Sequence, residues 1–164
     1  MFLDSLRAAL TAQGTAGVYG GLITLSVVAS TSLERDPAAW VIAVTVALTN
    51  VVFWAAHVHA SLIAEWTHDG RPGWREARRR FGTELPLLAA CVPTVVVLLL
   101  ACVGLYGVGT AVVISLFIGI GLLGAWGLTI ARSAKLGPLS AAFVAGINIT
   151  LGLAIVLLKV IVSH

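Results

Sequence analysis

The chain carries very little charge. Only 10% of its 164 residues are Asp, Glu, Lys or Arg, whereas 59% are hydrophobic, and the mean hydropathy is +1.03. Soluble domains usually contain about 25% charged residues. The shortage excludes an ordinary soluble enzyme, a disordered chain and a free nucleic-acid-binding protein, and it predicts an integral membrane protein.

Motifs for catalysis are also missing. The sequence contains no Gly-x-Ser-x-Gly, no His-Glu-x-x-His, no phosphate-binding glycine loop and no paired carboxylates within its apolar runs. We therefore expect no enzymatic activity and no cofactor.

The two cysteines, Cys91 and Cys102, lie in one apolar run. Two thiols on one rigid helix cannot meet, so we expect small core residues rather than a disulfide.

Long uncharged runs occupy most of the chain. With His left aside, these runs are residues 8–33, 37–64, 85–131 and 136–158. A membrane-spanning helix needs about 20 apolar residues, and the third run would extend about 70 Å as one helix. That run must therefore turn back, and Tyr106-Gly107-Val108-Gly109 supplies the turn.

The runs predict one all-α membrane domain over residues 1–164, a bundle of five transmembrane helices. The predicted spans are residues 14–33, 38–64, 85–105, 110–131 and 137–159. An alternative for the first span is a signal peptide cleaved near Val28-Ala29-Ser30, which would leave four helices.

The basic residues predict the orientation of the bundle. Eight of the ten Lys and Arg residues fall before the first span, between spans two and three, or between spans four and five. Because basic segments stay on the cytoplasmic side, we expect a cytoplasmic N-terminus and an external C-terminus in the cell membrane.

Polar residues follow one face of the second predicted helix. The residues Asn50, Trp54, His57, Ser61, Glu65 and His68 are spaced 4, 3, 4, 4 and 3 positions apart, which aligns them on a helix. Polar side chains at membrane depth are costly and often functional, and histidine exchanges protons near neutral pH. The leading hypothesis is a small channel or transporter for a cation or protons. Its pathway candidates are Asn50, His57, Ser61 and Glu65.

The same polar residues also allow a structural role, since Asn50 and His57 can form hydrogen bonds that hold the bundle together. Secondary candidates for the pathway are His59, His68, Tyr19 and Asn148. Metal binding at these residues is kept as an alternative. Against it, His57 and His59 lack the spacing of metal ligands on one helix, and His57 lies about 12 Å along the axis from Glu65.

Glu84 is either a first-turn acid favoured by the helix dipole or a gate residue.

Residues 65–84 form the longest segment outside the predicted spans. Within it, 74–81 fits a short helix on the cytoplasmic membrane surface. This segment is either a connector or a docking patch for anionic lipid or a cytoplasmic protein partner. The patch residues are Trp74, Arg75, Arg78, Arg79 and Arg80. The alternative function is therefore a non-transporting membrane module that binds its partner through this basic segment.

Small residues recur in the predicted helices. Gly17 and Gly21 form a Gly-x-x-x-Gly pair, and four glycines lie between residues 119 and 127. Small residues let helices approach closely within a membrane. We expect them to pack the bundle, with a homo-oligomer interface as a second use.

The architecture resembles the vacuolar iron transporter family. The shared features are five spans, Tyr19-Gly20 early in the first helix, a basic segment between helices two and three, glycines in helix four, and the basic turn from Arg132 to Lys135. The resemblance implies proton-coupled export of divalent cations by a homodimer. That family carries acidic and methionine side chains within its first two helices, where this chain has none, so the resemblance transfers no site residue.

Overall fold

The computed structural model describes residues 2–33, 37–69 and 74–162, and the side chains of 2–12, 65, 67–69, 76–77 and 79–80 lie outside that description. Within these ranges the chain forms helices and no strand. The described helices are α1 (Phe2–Thr31), α2 (Ala39–Asp69), α3 (Trp74–Thr83), α4 (Leu85–Ala89), α5 (Val92–Cys102), α6 (Val108–Ser133) and α7 (Pro138–Val162).

Four of these helices, α1, α2, α6 and α7, are long and apolar enough to cross a membrane. A fifth span results if the bent pair 81–89 and 92–102 is one crossing. The chain is therefore a helical membrane protein. α2 continues through Asp69, past the predicted end of its span at residue 64.

The third predicted span, residues 85–105, contains two helices, α4 and α5, instead of one continuous helix. The axes on the two sides of Ala90 and Cys91 differ by 43°. Pro93 explains the break, because it has no N–H to donate and its ring crowds the carbonyl of Ala89 one turn earlier. Cys91 is buried, as expected of a core residue, but Cys102 at the end of α5 is exposed.

Four helices surround the core. α1, α2, α5 and α6 each pack against two neighbours in a closed ring, α7 packs outside on α6 and α1, and α4 packs against α1 and α2. Leu25, Ile42, Val46, Leu98 and Leu123 are fully buried there. We call one end of the bundle the α3 end, because α2 ends there and α3 follows. The other is the opposite end, where a short loop joins α5 to α6.

Glycines bring α1 close to its neighbours. Gly17 lies under the indole of Trp126 on α6, and Gly20 lies against the backbone carbonyl of Leu87 on α4. A Cβ atom at either position would overlap its neighbour. At least some of the small residues therefore serve packing within the chain.

Candidate functional site

The side chains of the polar stripe on α2 differ in how far they are buried. Asn50 is completely buried, Trp54 and Ser61 are partly buried, and the His57 side chain is 45% exposed. His59 is exposed on another face of α2. The side chains of Glu65 and His68 lie outside the described residues. The stripe thus starts in the core and reaches the surface within two helical turns.

Asn50 joins α2 to α1. Its Nδ2 donates to the carbonyl of Val46 at 2.9 Å and to Thr24 Oγ1 at 3.1 Å. Thr24 is buried as well. The interhelical bond to Thr24 and the bond to Val46 within α2 together satisfy the two amide N–H groups, which would otherwise be costly in an apolar core.

His57 meets groups from two other parts of the fold. Its Nε2 lies 3.9 Å from Glu84 Oε2, and its ring centroid lies 5.9 Å from that of Tyr19 on α1. The Glu84 side chain is only 13% exposed, whereas Tyr19 is half-exposed. A separation of 3.9 Å is too long for a direct hydrogen bond. It suits a protonated imidazole beside a carboxylate, or one bridging water.

Packing on both sides places Glu84 beside α2. On its N-terminal side, the ring of Phe81 packs against Trp54 at 5.5 Å between centroids. On its C-terminal side, Leu87 donates its N–H to the carbonyl of Glu84 at 3.1 Å. Leu87 is itself held against α1 at Gly20. Glu84 therefore faces α2 because α3 and α4 are each anchored.

The pair lies near one edge of the apolar region. About 27 Å of helix separates His57 from Ala39, the first residue of α2, at 1.5 Å per residue. The hydrocarbon layer of a bilayer is about 30 Å thick. With Ala39 at one boundary of that layer, His57 and Glu84 lie near the other boundary, at the α3 end.

Other candidates lie elsewhere. Asn148 donates to the carbonyl of Val144 at 2.9 Å and contacts Gly127, so it belongs to the α6–α7 interface and does not face the α2 stripe. No three His, Cys, Asp or Glu side chains come together as metal ligands in the part of the chain that the structure describes.

The basic patch lies on α3. Trp74 is 82% exposed, and Arg75 and Arg78 are exposed too. Arg79 and Arg80 have side chains outside the described residues. Because Phe81 packs on Trp54, the helix is fixed to the bundle at one end while its basic residues stay accessible.

Comparison with known proteins gives no match: no protein-family model, curated protein or solved structure is similar to this chain. The resemblance to the vacuolar iron transporter family stays a prediction from architecture.

Proposed function

We propose that the protein is a small membrane transporter or channel for protons or a cation, with His57 and Glu84 at the mouth of its pathway. The observation that carries this proposal is the approach of these two side chains, 3.9 Å apart, at the edge of an apolar bundle. Ionisable residues within membrane-spanning helices are rare, and they usually pair with one another or face a water-filled cavity. The Glu84 carboxylate can balance the charge of a protonated His57 imidazole, so a proton can be held at this position before it moves on.

We propose that the ion enters the pathway from the α3 end of the bundle. Beyond the pair, the α2 stripe leads to the buried Asn50. Nearer the opposite end, Ile42, Val46 and Leu98 are fully buried and pack together. This closed layer favours a gated transporter over a permanently open pore. We place the α3 end in the cytoplasm, because most of the basic residues belong to that end.

Ion flux in proteoliposomes tests the proposal. Folded protein is reconstituted, and the fluxes of protons, K⁺, Na⁺ and a divalent metal are compared with those of empty liposomes. We expect flux of one of these ions well above that of the empty liposomes. Absence of flux from folded protein would overturn the proposal.

A second candidate function is binding of anionic lipid through α3. It is favoured by the exposure of Trp74, Arg75 and Arg78 on a helix that Phe81 fixes to the bundle. An exposed tryptophan beside basic residues is typical of a helix at the membrane surface.

Neutralising Arg75 and Arg78 tests this second function. Each basic residue near an anionic surface contributes about 1 kcal/mol of attraction. We expect anionic lipid to stabilise the wild type against unfolding more than zwitterionic lipid does, and R75Q/R78Q to lose most of that difference. Thermal unfolding in mixed micelles of the two lipid types measures it. An equal response of both proteins would contradict lipid binding at α3.

A further inference from the structure

The break between α4 and α5 leaves backbone oxygen atoms without their usual partners. Pro93 has no N–H, so the carbonyl of Ala89 lacks its helical donor. The carbonyl of Ala90 accepts no hydrogen bond from any residue that the structure describes. Ala90 is buried, so solvent does not replace the missing donor.

Thr94, four residues after Ala90, is completely buried, and its hydroxyl has no hydrogen-bond partner in the part of the chain that the structure describes. A threonine within a helix usually donates to the carbonyl four residues earlier. Thr129 and Thr150 do so here, both at 2.9 Å. Thr94 does not donate to Ala90. Two buried oxygens at the break, the Ala90 carbonyl and Thr94 Oγ1, therefore have no hydrogen-bond partner among the described residues. Unsatisfied buried oxygens in a native fold call for a ligand or a water.

The surroundings supply further neutral oxygen. Both α4 and α5 pack against α2, which carries the buried Asn50. The amide oxygen of Asn50 receives only a long contact of 3.4 Å from Thr24 Oγ1, so it keeps acceptor capacity. The Ala90 carbonyl, the Thr94 hydroxyl and the Asn50 amide are all uncharged. In membrane proteins, carbonyls freed where a helix is broken coordinate alkali cations.

We propose that the α4–α5 break binds a dehydrated alkali cation, with the Ala90 carbonyl and Thr94 Oγ1 as ligands and Asn50 Oδ1 as a third candidate. This site goes beyond the proposed pathway mouth, because neither His57 nor Glu84 takes part. Cation binding is measured in an experiment that does not involve transport. A negative result for binding is therefore distinguishable from a negative result for flux.

Thermal unfolding of the full chain in detergent micelles tests the site. Unfolding is followed in chloride salts of Na⁺, K⁺ or N-methylglucamine at constant ionic strength. We expect one alkali cation to raise the Tm saturably relative to N-methylglucamine, because a ligand that binds only the folded state stabilises it. T94V should raise the half-saturating concentration about tenfold, the effect of one lost polar contact of ordinary strength.

Two variants serve as controls. T94S keeps the hydroxyl and should keep the cation response. T150V makes the same replacement on the exposed face of α7, and it should respond like the wild type. Equal Tm values of the wild type in all three salts would overturn the site and leave an ordered water as the partner of Thr94. A full cation response in T94V would also overturn it.

Discussion

We expect H57A to reduce ion flux by about a hundredfold, the lower end of what a positioned proton-transfer group contributes. The reason is that the His57 imidazole lies beside Glu84, and alanine leaves that carboxylate without a partner. We expect H59A to keep wild-type flux, since His59 is exposed on another face of the same helix. Proteoliposome flux of the three proteins, reconstituted in equal amounts, measures both effects.

Stability separates loss of transport from loss of folding. The His57 side chain is 45% exposed and 3.9 Å from its partner, so its removal is expected to change the free energy of unfolding by no more than about 1 kcal/mol. E84Q should lower flux as H57A does, because it removes the other half of the pair. Wild-type flux in H57A, or equal losses in H57A and H59A, would contradict a pathway at His57.

We expect G20A to destabilise the bundle strongly. A Cβ atom at residue 20 would overlap the backbone carbonyl of Leu87, and no rotamer change can relieve a clash with backbone. Overpacking of a core costs about 1–3 kcal/mol and occasionally more. We expect the upper part of that range, because α1 and α4 would have to separate. The yield of monodisperse protein and its Tm in detergent measure the loss.

Gly121 provides the matched control for Gly20. It lies within α6, and a Cβ atom there would meet nothing within 4 Å. We expect G121A to be neutral or slightly stabilising, by at most about 1 kcal/mol, since alanine favours a helix over glycine. G20A as stable as G121A would show that α4 does not pack on α1 as described.

The sequence was sufficient for the long helices but not for the break. The uncharged runs that form most of α1, α2, α6 and α7 are visible in the sequence, because a helix that crosses the hydrocarbon layer needs about 20 apolar residues in succession. Pro93 is equally visible, but a proline in a span is compatible with a mild kink or a complete break. Here the axis bends by 43°, and α4 packs against α1. That contact depends on Gly20, far away in the sequence.

The site was predictable on one helix only. Helical periodicity selected Asn50 and His57, which lie on α2 as a continuous stripe. Glu84 was not identified as the partner of His57, because the anchored α3 and α4 bring it there. Asn148, a secondary candidate for the pathway, lies between α6 and α7. Periodicity gives the face of a residue on its own helix, whereas the neighbour of that face depends on packing.

The most direct test is whether His57 meets water or lipid. Single cysteines are introduced at His57, Arg75 and Phe117 in a C91A/C102S background and labelled in proteoliposomes with a membrane-impermeant thiol reagent supplied to both sides. Arg75 is the reference for water, and Phe117, which is 73% exposed on the apolar α6, is the reference for lipid. Thiol labelling requires the thiolate, which forms in water. We predict that H57C reacts at a rate within about tenfold of R75C. Reaction as slow as that of F117C would place His57 against lipid and contradict a hydrated pathway mouth.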